Sequence, residues 1–218
     1  MCFSAEASFA ASGALATVGA LSFGKAKSRR MRWLAFVPIL FSVQQAIEGF
    51  QWLVEKPGTL STILGYAFLT FAFLVWLILI PFVDEQIEPK TSRRKWFRIL
   101  TWVGAGCAGY LLYFLLTKPL TVCVTGHHID YQIDIHFPFF AIGLAVYVFI
   151  TCGSMLLSSR PMMRLFGALA FLSLLVTVWA YQETLTSVWC FFAAALSTLV
   201  YLEIARDAKK HKGFWHRW

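Results

Sequence analysis

Charge is what this 218-residue chain has least of: Asp, Glu, Lys and Arg together make up 14%, against 59% hydrophobic residues and a mean hydropathy of +0.67. That scarcity excludes an ordinary soluble domain, in which about a quarter of residues are charged. Missing too is a basic segment ahead of the first apolar run, which begins almost at Met1, so the opening residues are expected to form a first span and not a cleavable signal peptide. There is no HExxH motif and no cysteine pair at finger spacing, so no motif fixes a metal geometry. No internal repeat or low-complexity tract occurs. The apolar runs are long and continuous, unlike the alternating segments of about 10 residues that build a membrane barrel.

What is present is a series of runs, each near the ~20 apolar residues needed to cross roughly 30 Å of hydrocarbon. Seven are predicted, near 3–23, 33–54, 60–82, 97–117, 136–157, 162–180 and 184–205. The expected fold is an all-α membrane protein, a single seven-helix bundle over residues 1–218 with no room for a soluble domain. Basic residues are retained on the cytoplasmic side of short loops. Lys25, Lys27, Arg29, Arg30 and Arg32 fall in the first loop, Lys90, Arg93, Arg94, Lys95 and Arg98 in the third, and Arg160 and Arg164 in the fifth. Arg206, Lys209, Lys210, Lys212 and Arg217 follow in the tail. The second and fourth loops offer only Lys56 and Lys118, and the sixth, Tyr181 to Thr184, has no basic residue. This pattern predicts an outer N-terminus and a cytoplasmic C-terminus in a bacterial inner membrane. The net charge of +8 then reflects topology and attraction to anionic lipid, and needs no nucleic-acid partner.

Within FSVQQAIEGFQW, residues 41–52, stands Glu48, an acid costly enough in a span to mark function by default. At about 100° per residue, Gln44, Gln45, Glu48, Gln51 and Trp52 share one stripe, which must face inward. In the first span Cys2, Glu6, Phe9 and Gly13 share a face, and Ser4, Ser8 and Ser12 form a small-residue ridge opposite, suited to close helix approach. Glu6 and Glu48 fall in the same outer half of the bilayer and are expected to meet there. Cys2 becomes terminal if the initiator Met is removed, and reads as a nucleophile with its own amine as base, as a metal anchor, or as a small apolar residue.

The loop VCVTGHHIDYQIDIHF lies at the same level and supplies His127, His128, Asp130, Tyr131 and His136. With Glu6 and Glu48 these give the nitrogen and oxygen donors that a zinc-like divalent metal prefers; the alternative is a solvated interfacial loop. Glu183 joins from the sixth loop, where it also suits a helix first turn. A bridge from Cys123 to Cys2 or Cys190 is open, whereas Cys107 and Cys152 read as core. Tyr66, Tyr110, Tyr113 and Tyr147 are expected to bond neighbouring helices, and Glu203 to pair with Arg206 near the inner surface. The tail HKGFWHRW reads as an interfacial anchor.

The opening MCFSAEASF resembles the start of an uncharacterised family of bacterial integral membrane proteins, and the EGFQW segment is similar in kind, which implies a shared site around Cys2, Glu6 and Glu48. The topology is also similar to that of seven-helix alkaline-ceramidase-like and adiponectin-receptor-like hydrolases, but their HxxxH pair is missing from the last span, 184–205. Microbial rhodopsins share the helix count, yet their retinal-binding Lys is absent there too, so no retinal is expected. Three functions remain open: a metal-dependent hydrolase of a lipid or amide with Glu48, Glu6 and Cys2 as catalytic groups, a transporter of a small cation or polar solute, and a ligand sensor. Each uses a polar pocket facing outward, with Gln44, Gln45, Gln51, Trp52, Tyr131 and Glu183 contacting the ligand. Polar residues are few on the inner halves of the expected spans, which favours a one-sided pocket over a through-path.

Overall fold

The computed structural model describes residues 4–54, 58–125, 128–133, 140–180 and 185–215. Ser4 caps the first helix, α1 (Ala5–Lys25), by accepting from the Ala7 amide, and Ser28 caps α2 (Arg29–Leu53) by accepting from Met31. A third helix, α3 (Thr59–Ile87), runs on through a π-helical turn at Phe71–Val75, and α4 follows at Thr91–Thr117. Phe140–Val148, a second π-helical turn at Phe149–Gly153, and Ser154–Leu157 are continuous and form α5. Then come α6 (Pro161–Ala180), α7 (Leu185–Leu196) and, after one turn, α8 (Leu199–Trp215). Among the described residues six helical stretches are long and apolar enough to cross a membrane; α5 contributes a shorter apolar helix, Ile142–Leu157.

The fold is therefore helical, as expected, with one addition. The stretch read as a loop carries an antiparallel hairpin of β1 (Leu120–Thr125) and β2 (His128–Ile133), paired from Leu120↔Ile133 to Thr125↔His128. Its residues alternate with a period of two, the pattern of a strand with one buried face. Leu120, Val122 and Ile129 are buried, and Tyr131 stacks on Phe68 of α3 with ring centroids 4.6 Å apart. Gly65 permits this docking, since a β-carbon there would lie 2.6 Å from Val122 and 2.9 Å from Leu120.

The serine ridge of α1 does pack. Ser12 Oγ donates to the Ser42 carbonyl at 2.9 Å, Ser42 Oγ donates back to the Ser12 carbonyl at 2.8 Å, and Ser8 is buried beside this contact. Close approach recurs where Gly104 of α4 covers the Leu77 carbonyl, with only 2.1 Å to spare for a β-carbon. That carbonyl is the one Pro81 has no N–H to bond. The main core joins Leu34, Phe41, Trp76, Phe166 and Trp189 across α2, α3, α6 and α7. A second cluster seats the hairpin on α3 through Phe68, Leu120, Val122 and Ile129, with Cys190 beside it.

Candidate functional site

Glu48 is fully buried, and its carboxylate accepts from Ser187 Oγ of α7 at 2.5 Å and from Gln45 Nε2 at 3.3 Å. The stripe on α2 faces inward as its periodicity requires: Gln44, Gln45 and Gln51 have no solvent exposure. Gln44 Oε1 accepts from the Trp76 indole at 2.8 Å, Gln51 Nε2 donates to Ser61 at 2.8 Å, and Cys190 lies beside Glu48 and Gln44. Four polar atoms in this ring are buried with no hydrogen-bond partner among the described residues: Gln44 Nε2, Gln45 Oε1, Gln51 Oε1 and Trp52 Nε1. Native interiors leave few such groups, each costing about 1–3 kcal/mol, so a set of four around one carboxylate calls for a complement.

Beneath the ring lies a cavity of ≈ 40 Å³ whose walls include Phe41, Trp76, Tyr147, Phe166, Trp189 and Cys190. Phe41 and Trp76 stack at 3.8 Å, and Tyr147 meets Trp189 edge-on at 5.7 Å. The second π-helical turn borders it, and the first is tied to its wall through Tyr147. The Tyr147 hydroxyl donates to the Ala72 carbonyl in the first turn at 2.5 Å, while Thr151 and Cys152 of the second line the wall. The extra residue of a π-turn breaks the regular backbone ladder, and such turns often mark functional sites.

Among the described residues, the predicted metal ligands Glu6, Glu48 and Asp130 do not form a metal centre. Glu6 is exposed on the opposite side of α1 from the serine ridge, because the small side chains of Ser8 and Ser12 win the helix contact and the acid is left pointing outward. No group of three or more His, Cys, Asp or Glu placed to hold a metal occurs among the described residues. Asp130 accepts from Gln132 on the exposed side of the hairpin, and His128 takes part in the strand pairing. Cys2, His127, His136 and Glu183 lie outside the described residues, as does the side chain of His128. Cys123 and Cys190 are free thiols, so no bridge joins them. Tyr131 belongs to the packed face of the hairpin, next to the Glu48 ring.

A second polar region, at the basic end of the bundle, was not expected. Asp84, Glu88 and Glu203 are all buried. Glu88 accepts from the Lys90 amide at 3.1 Å and the Ser159 amide at 2.8 Å, tying the α3–α4 and α5–α6 connections together. Glu203 pairs with Arg160 at 3.4 Å and accepts from the Met162 amide, instead of meeting Arg206 as predicted from helical spacing; Arg160 also bonds Asp207 at 2.8 Å. The expected third span ends at residue 82, two short of Asp84, whereas α3 continues to Ile87. That misplaced boundary is why the inner half looked apolar.

Residues 1–213 match the model of a family of unknown function, DUF6629. The chain belongs to that family. Membership is consistent with the uncharacterised family expected from the opening residues, and carries no activity with it. Comparison with curated proteins and with solved structures gave no match to either.

Proposed function

We propose that this chain is a seven-helix protein of the bacterial inner membrane, with its N-terminus outside, and that its bundle binds a small organic cation at the Glu48 ring. The observation that carries the reading is the ring itself: a fully buried carboxylate bordered by four unmet polar atoms. A solute bearing an ammonium group brings a charge opposite to that of Glu48 together with N–H donors for the unmet Gln45 and Gln51 oxygens. The aromatic walls of the adjoining cavity suit the alkyl part of such a cation, since ring faces attract cations within about 6 Å of their centroids. At ≈ 40 Å³ the space fits a methylammonium-sized group, not a lipid chain. The docked hairpin covers this end, so entry from outside requires it to move.

Binding a solute is favoured over the metal-dependent hydrolase by what converges at Glu48 among the described residues: the Ser187 hydroxyl and the Gln45 amide on the carboxylate, with the unmet amide oxygens of Gln45 and Gln51 on the same stripe. Transport is favoured over sensing by a separate observation: buried polar residues occupy the basic half as well, and one π-turn lines the cavity while the other is bonded to its wall. Titration of purified protein with methylammonium, read by the fluorescence of the cavity tryptophans and compared with sodium at equal ionic strength, tests the reading. Saturable quenching in wild type that is lost in Glu48→Gln supports it.

A further inference from the structure

The basic half holds a carboxyl group that neither the packing nor the solute site uses. Asp84 has no solvent exposure, and neither of its carboxyl oxygens accepts a hydrogen bond among the described residues. Ser154 of α5 lies beside it, but the Ser154 hydroxyl donates to the Thr151 carbonyl at 3.1 Å. While that bond stands, Ser154 Oγ offers Asp84 only its lone pairs, and an acceptor matches a carboxylic acid O–H, not a carboxylate. Glu88, one turn further on at the end of α3, acts on it with a charge of the same sign. Cations in the vicinity are engaged elsewhere: Arg160 donates to the Ile87 carbonyl and to Glu203 and Asp207, and Arg94 donates to the Glu88 carbonyl.

We propose that Asp84 and Ser154 form a proton-binding site at the basic end of the bundle, distinct from the Glu48 ring. The proton sits on an Asp84 oxygen and is donated to Ser154 Oγ; on release it passes toward Glu88 and the loop at residues 88–90. Placement gives the site a use. The cavity wall comes within one helical turn of Asp84 at Ile80 and next to Ser154 at Met155, while its other end meets partners of the Glu48 ring at Trp76 and Cys190. Twelve residues of helical rise, four from Glu48 to Gln44 and eight from Trp76 to Asp84, place the two carboxyls about 18 Å apart along the bundle. Between them the walls are largely aromatic and aliphatic, which disfavours a continuous water chain from one carboxyl to the other. Two carboxyls separated by a largely apolar gap, one toward each face, are the elements of proton-coupled exchange.

The proposal does not depend on solute binding, and infrared difference spectroscopy of the full-length protein in detergent tests it alone. An alkaline-to-acid pH step is applied with no added solute. The expected spectrum contains a carboxylic-acid C=O band that is lost in Asp84→Asn, kept in Glu48→Gln, and shifted in Ser154→Ala because the acid loses its acceptor. Should Asp84→Asn fail to fold, Asp84→Glu moves the same band and serves in its place. If no carboxyl band both responds to the pH step and depends on residue 84, the proposal is overturned, whatever methylammonium does at Glu48. A band that depends on residue 84 but is indifferent to Ser154→Ala overturns the role given to Ser154.

Discussion

The Ser187 hydroxyl of α7 donates to the Glu48 carboxylate of α2, joining the last membrane-length helical stretch to the second through a group with no access to solvent. This contact holds the candidate site together, so its removal is felt in stability. Ser187→Ala takes away one donor from a buried acid, at a cost of about 1–3 kcal/mol. The midpoint of thermal unfolding in detergent is expected to fall. In a Glu48→Gln background the same substitution costs measurably less, because residues in one hydrogen-bond network do not act additively. Equal losses in both backgrounds would show that Ser187 acts without Glu48.

Gly104 permits α4 to touch the backbone of α3. Since an added β-carbon lies 2.1 Å from the Leu77 carbonyl, which cannot yield as a side chain does, Gly104→Ala separates the two helices and is expected to cost several kcal/mol. Gly106, on the same helix, has open space around it, and Gly106→Ala is expected to be neutral or slightly stabilising. Expression and thermal midpoint of the two variants, compared side by side, check this contrast.

At the basic end, Arg160 links α6 to α8 through Glu203 and Asp207 and bonds the Ile87 carbonyl at 3.1 Å. Removing it leaves Glu203, which is 3% exposed, with the Met162 amide but without its cation. Arg160→Ala should therefore destabilise by more than the ~1 kcal/mol of a surface pair, and Glu203→Gln in the same chain should recover part of the loss. No recovery in the thermal midpoint would mean that the arginine acts mainly through Ile87 and Asp207.

Much of this architecture is legible in the sequence. Hydropathy locates each apolar stretch, although α3, α4 and α8 run five to ten residues beyond the expected spans, and the 100° periodicity of Gln44, Gln45, Glu48, Gln51 and Trp52 foretells their common inward face. The partners of that face are less accessible, because helical periodicity says which side of a helix is polar but not which neighbour meets it. Ser187 is one serine among many in the spans. Glu6 looked like a natural companion for Glu48 because both acids sit at one depth, yet packing of the serine ridge decides how α1 is turned. In the hairpin, Leu120, Val122, Ile129, Tyr131 and Ile133 carry a period of two that the density of His and Asp obscures. Asp84 follows Pro81 and stands among other acids, which reads as a loop until the helix is seen to continue through it.

The proposed orientation rests on the basic loops and is open to a direct check. In intact cells of a Cys2→Ser variant, a membrane-impermeant thiol reagent is expected to label Cys123, which is half-buried on the hairpin, and to spare a cysteine introduced as Lys209→Cys. Permeabilised cells should label both. The reverse pattern in intact cells would invert the topology and with it the side from which a solute reaches Glu48.

The account rests on Glu48 as the counter-charge of a small cation, and methylammonium binding measures this most directly. Fluorescence titration of the purified protein should show saturable quenching of Trp76 and Trp189, with an affinity reduced at least tenfold, about 1.4 kcal/mol, in Glu48→Gln. Sodium at the same ionic strength should leave the signal unchanged. Quenching of equal strength in wild type and Glu48→Gln, or none in a wild-type protein that unfolds cooperatively, would contradict the assignment.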